Sequence, residues 1–169
     1  SSFPLQLPGT VGRCGQEKSP YTGELLGIDY PHVDIPPLYK TMHEAWPAWR
    51  DTASEERIGI CLELLRRWDS NNFLNAYATM HTAGQAFMMA FAGSGANALD
   101  RGLEALAHAH LALSQIPSSS DFIRRFGRSE PILIQKRYRI MPRGIAAVVC
   151  CGTFPTWNAY PAIIANLAT

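Results

Sequence analysis

Four consecutive residues near the end of the chain are of types that bind ligands or react. Cys150, Cys151, Gly152 and Thr153 follow an unbroken apolar run and precede an apolar segment with helical spacing. A buried strand, a turn with a glycine and a helix form the usual plan of ligand sites in open α/β sheets. The backbone N–H groups of Gly152 and Thr153 and the Thr153 hydroxyl are therefore candidate donors to a ligand. An ordinary connecting loop fits the same pattern, since a lone glycine after a strand is a weak signal.

The cysteines of this turn raise the question of thiol chemistry. Cys150 and Cys151 are candidate reactive thiols at the start of a helix. Such cysteines more often serve as small buried apolar residues. The sequence also suggests no catalytic base close by. The four cysteines, which include Cys14 and Cys61, have neither zinc nor redox spacing. Free thiols of this kind are typical of a reducing compartment, and we expect a cytoplasmic location.

Composition and charge argue against several classes of partner. The net charge is +1 with 17% charged residues, so no strong field attracts nucleic acid or an anionic membrane. No apolar run is long enough to span a bilayer. His108 and His110 lie two apart on a predicted helix and do not share a face, so they are poor joint metal ligands. We predict no metal site, no nucleic acid partner and no membrane partner.

The first 40 residues are rich in turn formers and predict an extended arm over 1–40. The Pro36-Pro37 pair argues against a helix at that point. A short helix is predicted in the segment KTMHEAWPAWR that follows, with an interruption at Pro47.

Apolar residues at helical spacing then recur through 41–130. Thr52 and Glu55 have the spacing of a capping box and predict the start of a helix. A second helix is predicted from about 73 to 91, weakened at Gly84 and stopped by the GSG segment. A third helix is predicted to end before Pro117. The predicted core positions are Ile58, Cys61, Leu62, Leu65 and Trp68, then Phe73, Leu74, Tyr77, Met80, His81, Phe87 and Met88, then Leu99, Leu103, Leu106, His110 and Leu113.

Two strands are predicted toward the end of the chain. Residues 131–141 alternate as a half-polar strand does, and the SSSDF segment before them predicts a loop. The run IAAVVCC at 145–151 predicts a strand buried on both faces of a parallel sheet. Such a strand needs neighbours that this chain does not supply. We therefore expect an amino-terminal piece of a longer α/β protein, with the last strand and helix left uncovered.

The order of these elements and the segment RIMPRGIAAVVCCGTFPTWNAYPAIIANLAT resemble the aldehyde dehydrogenase superfamily. Members have a Pro-x-Gly step, a buried strand, a loop ending in Phe-Pro and a helix, and Pro142, Gly144, Phe154 and Pro155 fall at matching spacing. Longer segments are similar to the phenylacetic acid degradation protein N branch of that superfamily. They are SPYTGELLGIDYPHVD, AWPAWRD, MHTAGQAFMMAF, DRGLEAL and TFPTWNAYP.

The resemblance implies an α/β fold of the aldehyde dehydrogenase kind, of which this chain is the amino-terminal part. It implies that 41–130 are the helical part of the cofactor domain and that 131–143 are a strand of the oligomerisation domain. It further implies that 144–169 are the first strand and helix of a truncated Rossmann-type domain. NAD or NADP is the implied cofactor, a small aldehyde the substrate, and a homo-oligomer (dimer or tetramer) the assembly.

Site residues are implied by the same resemblance. In the family, a Pro-Trp-Asn step touches the nicotinamide ribose side, and its Asn donates to the oxyanion of the thiohemiacetal. Carried over by position, this implies cofactor contacts for Cys150, Cys151, Gly152 and Thr153, with Thr153 at the Asn position as the candidate oxyanion donor. Asn158 is offset, and we expect its side chain to point elsewhere. The family's nucleophilic Cys and general-base Glu lie downstream, so neither Cys150 nor Cys151 is implied as the nucleophile.

Two functions follow from these observations. The first is an NAD(P)-dependent aldehyde dehydrogenase that oxidises a semialdehyde in phenylacetate (aromatic acid) degradation, with this chain alone lacking the nucleophile. The second is a non-catalytic helical module for binding or assembly, suggested by the missing Asn. The second predicts a monomer with a closed surface.

Overall fold

The computed structural model describes residues 6–169, so the first five residues of the predicted arm lie outside it. A pair of short strands precedes a run of helices, and a second pair lies between that run and the last helix. The elements are β1 (Thr10–Cys14), β2 (Tyr30–Val33), α1 (Ile35–Asp51), α2 (Ser54–Asp69), α3 (Asn72–Ala83), α4 (Phe87–Met89), a π-helical segment (Ala90–Ala96), α5 (Asn97–Ser114), β3 (Ser119–Arg124), β4 (Ile132–Arg137) and α6 (Pro155–Ala168).

The core lies where α2, α5 and α6 pack together. Gly102 on α5 allows the close approach, since a Cβ there would lie 2.7 Å from Leu65 Cδ2. Burial of apolar side chains at this junction is the main stabilising contribution. The buried cluster is formed by Cys61, Leu65, Leu106, Ala109, Ile164 and Ala168.

The last helix is part of this core, so the expectation that it would lie uncovered is wrong. Ile164 and Ala168 are fully buried. The C-terminal carbonyls of α6 are also paired: Arg57 Nε donates to Ala168 O at 3.2 Å, and Trp49 Nε1 donates to Leu167 O at 3.1 Å. A cation at a helix C-terminus is favoured by the helix dipole. Arg57 is itself buried and donates a second hydrogen bond to Thr52 O at 2.7 Å.

The predicted buried strand at 145–151 is also wrong. The segment is not part of any strand, and Val149 is 92% exposed. A strand needs a partner for its backbone hydrogen bonds, and among residues 6–169 no chain segment pairs with this one. Both two-stranded sheets of the described chain are antiparallel, β1 with β2 and β3 with β4.

The strand predicted at 131–141 is confirmed over Ile132–Arg137, although it ends four residues early. Its partner β3 covers the last four residues of the SSSDF segment, where a loop was predicted. Cross-strand pairing explains the difference, because it supplies hydrogen bonds to a polar segment whose own composition favours a turn. Phe122 stands opposite Ile134 in this hairpin.

Helix α1 begins inside the predicted arm, so the prediction of no helix at Pro36-Pro37 is wrong. Pro36 and Pro37 lie in its first turn, where a missing N–H costs nothing because no intrahelical acceptor is available there. The helix continues through Pro47 to Asp51, so the predicted interruption is wrong. Thr52 does not form the predicted capping box. Its hydroxyl instead donates to Ala48 O at 2.9 Å and closes α1.

The second predicted helix is divided at Gly84, which adopts a left-handed conformation (φ +73°) and caps α3. The GSG segment does not stop a helix, because it lies within the π-helical segment that leads directly into α5. Across the three predicted helices, the core prediction was wrong for seven side chains, which are exposed. They are Leu62, Phe73, Leu74, Tyr77, Met88, Leu103 and His110.

The packing of α6 predicts which isoleucine is critical for stability. Ile164→Ala removes a fully buried side chain and leaves a cavity, so the free energy of unfolding should fall by about 2–5 kcal/mol. Ile60→Ala on α2 is the matched control. Because Ile60 is 44% exposed, its replacement should change that free energy by about 0.5 kcal/mol or less. Chemical denaturation checks both values, and equal losses would contradict the assignment of the core.

Candidate active site at the start of α6

The thiol of Cys151 lies at the centre of the turn that precedes α6. The Phe154 backbone N–H donates to Cys151 Sγ at 3.4 Å, and the Asn158 Nδ2 amide donates to it at 3.1 Å. The Thr153 hydroxyl lies 3.4 Å from the same sulfur. Three groups that can donate a hydrogen bond therefore surround one exposed atom, which favours a negative charge on it. The Phe154 carbonyl, 3.6 Å from the sulfur, is the acceptor when the thiol is protonated.

These contacts lower the pKa of the Cys151 thiol to about 7, from an ordinary value of 9.0. The hydrogen bond with the Thr153 hydroxyl is the largest cause, followed by the Phe154 backbone N–H. The thiolate is therefore substantially populated near neutral pH, and the thiolate is the reactive form. Cys61 in the core differs, because burial raises the pKa of its thiol.

The π-helical segment holds the first turn of α6 in place. The Thr156 hydroxyl donates to Ser94 O at 2.5 Å. Gly93 lies against the Phe154 ring, where a Cβ would come within 2.9 Å of Phe154 Cε1. Close approach at this point requires a residue without a side chain. π-Helical turns of this kind recur at functional sites of proteins.

The structure brings together two of the four residues singled out in the sequence, Cys151 and Thr153, through their side chains. Cys150 and Gly152 lie on the same exposed turn. The expectation that Asn158 points elsewhere is wrong, since its amide meets the sulfur that Thr153 also meets. Helical spacing is the signal that was missed: Asn158 is four residues after Phe154, so the first turn of α6 returns it to the preceding loop.

Other candidate chemistry is weaker. No group of three or more metal-binding side chains lies close together in the described part of the chain. Over the same residues, no helix combines the length and apolar character needed to cross a bilayer. His81, predicted as core packing, is partly buried, with Nδ1 2.7 Å from Ser19 Oγ.

Comparison with known proteins gives the next observation. The chain is similar to the crystal structure of an NAD-dependent aldehyde dehydrogenase from Burkholderia multivorans, with a TM-score of 0.94 and 43% identity over 99% of this chain and 30% of that one. These values support the aldehyde dehydrogenase superfamily. The predicted phenylacetic acid degradation branch of that superfamily remains a prediction. No protein-family model and no curated protein matches the chain.

A second aldehyde dehydrogenase structure, from Bartonella henselae, shares the fold alone. Its TM-score is 0.52 and its identity 16%, over 67% of this chain and 23% of that one. The chain thus spans less than a third of either aldehyde dehydrogenase. The activity, substrate and partners of the whole protein are therefore matters for proposal.

The cluster around Cys151 predicts a measurable thiol reactivity. Asn158→Leu and Thr153→Val each remove a donor to the sulfur, so the pKa of Cys151 should rise toward 9.0 and the thiolate fraction at neutral pH should fall. The rate of alkylation by iodoacetamide as a function of pH measures this, with Cys151 followed by peptide mass spectrometry.

Asn166→Leu is the control on the same helix, since the Asn166 amide donates to Ala162 O and not to the sulfur. Its alkylation profile should match that of the wild type. A profile unchanged by both Asn158→Leu and Thr153→Val would contradict the cluster as described.

Proposed function

We propose that the whole protein is an NAD(P)-dependent aldehyde dehydrogenase that oxidises a semialdehyde in phenylacetate (aromatic acid) degradation. The similarity to an NAD-dependent aldehyde dehydrogenase at 43% identity is the observation that carries the activity. The resemblance of long sequence segments to the phenylacetic acid degradation branch supports the substrate class. A soluble cytoplasmic homo-oligomer, a dimer or tetramer, completes the proposal.

The turn before α6 supplies hydrogen-bond donors suited to this reaction. Attack of a thiolate on an aldehyde produces an oxyanion, and donors aimed at that charge stabilise the transition state. The Thr153 hydroxyl and the Asn158 amide both lie on this exposed turn, each within hydrogen-bond distance of Cys151 Sγ, and each would have to turn from the sulfur to an oxyanion bound there. Trp157-Asn158 also repeats the last two residues of the family's Pro-Trp-Asn step. We therefore propose Asn158 as the principal donor, with Thr153 as the second.

The same turn fits the approach of a nicotinamide ribose. Residues Cys150 to Thr153 are all exposed, and a Cβ on Gly152 would meet no atom within 4 Å. Backbone groups of this open turn would hold the ribose side of NAD or NADP. The bound cofactor would accept the hydride of the aldehyde. Cys151 is not assigned as the nucleophile, since the resemblance places that residue further along the family's sequence.

The β3–β4 hairpin supports the proposal of an oligomer. Large apolar side chains on both strands are exposed, among them Phe122, Ile123 and Leu133. An exposed apolar strand pair is a ready surface for pairing with another chain. The 131–143 segment is thus proposed as a subunit contact.

The alternative of a non-catalytic module finds less support. It predicts a closed surface, whereas α3 and the hairpin both present large apolar side chains to solvent. Exposed apolar patches of this kind mark surfaces that other protein covers. The polar cluster around Cys151 also has no evident use in a binding module.

Turnover tests the proposed function directly. The full natural chain should reduce NAD or NADP with an aromatic or aliphatic semialdehyde, followed by the absorbance of the reduced nicotinamide. Asn158→Leu should lower kcat by about 100- to 1,000-fold, because it removes a donor to the developing charge. Asn166→Leu should leave kcat unchanged.

Absence of turnover across a panel of semialdehydes with both cofactors would contradict the proposal. A different outcome would change the assignment of the donor. If Thr153→Val lowers kcat by about 100- to 1,000-fold and Asn158→Leu leaves it unchanged, Thr153 is the principal donor.

A further inference from the structure

Gln85 joins the end of α3 to the candidate active site. The residue lies between α3 and α4 and is only 8% exposed. Its side-chain Nε2 donates a hydrogen bond to the backbone carbonyl of Thr153. A buried side chain from a distant part of the chain thus contacts the turn that carries the Cys151 cluster.

The backbone of Gln85 is held from the opposite side by the amino-terminal arm. The Tyr21 hydroxyl donates to Gln85 O at 2.6 Å. Two residues earlier, Ser19 Oγ lies 2.7 Å from His81 Nδ1, which ties the same part of the arm to α3. Pro20 packs between these contacts, since a Cβ on Gly84 would lie 3.3 Å from Pro20 Cγ. The arm therefore fixes the position from which the Gln85 side chain extends.

The hydrogen bonding of the Gln85 carboxamide indicates that it positions the Thr153 backbone rather than stabilises the fold. While Nε2 bonds Thr153, Oε1 is buried and has no hydrogen-bond partner among the described residues. An unpaired buried carbonyl costs about as much free energy as a good hydrogen bond contributes. The carboxamide therefore gains little net stability for the fold, yet it determines where the Thr153 backbone lies.

We propose that Gln85 is a positioning residue for the reaction proposed above. By holding the Thr153 carbonyl, it sets the 151–154 turn, and with it the distance from the Thr153 hydroxyl to Cys151 Sγ. Tyr21 acts one step further away by holding the Gln85 backbone. The inference rests on the proposed function for its catalytic meaning, while its structural content concerns the turn alone.

Three variants test the positioning role in the full chain. Gln85→Leu and Gln85→Glu keep the approximate size of the side chain but remove the donor to the Thr153 carbonyl. Tyr21→Phe keeps the carboxamide and removes the support of its backbone. Thr79→Val is the matched control. Thr79 is buried and polar like Gln85, but it lies within α3, where its hydroxyl donates to Asn75 O of the same helix.

The first readout is the alkylation rate of Cys151 against pH, measured by mass spectrometry with Cys150→Ser in every protein so that one thiol of the peptide reacts. Gln85→Leu and Gln85→Glu should move the profile to higher pH, and Tyr21→Phe should move it in the same direction by less. Thr79→Val should leave it in place. The unfolding midpoint of Gln85→Leu should stay close to that of Thr79→Val.

The second readout is steady-state kinetics without the Cys150 substitution. Gln85→Leu should lower kcat by about tenfold with little change in the aldehyde KM, because small misplacements of reacting groups reduce the rate of the chemical step. A well-folded Gln85→Leu protein with the wild-type alkylation profile would overturn the inference. An equal shift in Thr79→Val would do so too, since it would show a general loss of structure.

Two further outcomes are also decisive. If Gln85→Leu does not fold, Tyr21→Phe decides, because Gln85→Glu adds a negative charge that by itself disfavours the thiolate. An unchanged Tyr21→Phe profile overturns the inference, and a shift to higher pH supports it. Alkylation needs neither cofactor nor aldehyde. A wild-type chain without dehydrogenase turnover therefore contradicts the proposed function alone, while a shifted profile still supports the positioning role.

Discussion

The placement of α6 is the constraint on which the other features depend. Within α6, Ile164 is buried against α2 and α5. Arg57 and Trp49 donate hydrogen bonds to carbonyls at the C-terminal end of α6. At its first turn, the Thr156 hydroxyl donates to Ser94 O. A 14-residue helix is about 21 Å long, so contacts near its middle and at both ends fix where it begins. The candidate active site is built on that beginning.

The charge of Arg57 shows how this placement is maintained. A buried cation is costly unless it is fully paired. Arg57 binds two carbonyl oxygens, Thr52 O and Ala168 O, and the second of these lies at the negative end of the helix dipole of α6.

The charged groups at the end of α1 are more exposed. There, hydrogen bonds from Arg50 and then Arg139 lower the pKa of Asp51 to about 2, which keeps the carboxylate ionised near neutral pH.

The turn of the candidate site is held by contacts on its buried side and is exposed to solvent on the other side. Gly93 and Gln85 contact the turn from the buried side, through the Phe154 ring and the Thr153 carbonyl. The sulfur of Cys151 lies on the exposed side of the same turn. Such an arrangement holds polar groups in fixed positions while leaving room for a ligand, as catalytic and cofactor sites require. A turn that is held on one side and open on the other is consistent with an enzyme of the aldehyde dehydrogenase superfamily, which the comparison supports.

The sequence by itself determined the elements whose apolar residues repeat at one period. Helices α2 and α5 and strand β4 were predicted close to their observed positions, and Cys61 and Leu65 lie in the core as their spacing indicated. Only the tertiary structure decided which apolar faces are covered: Phe73 is exposed, 145–151 has no partner among the described residues, and α6 is buried. It also brought Asn158 to Cys151. The reason is that periodicity reports contacts between residues a few positions apart, whereas burial and pairing depend on segments far apart in the sequence.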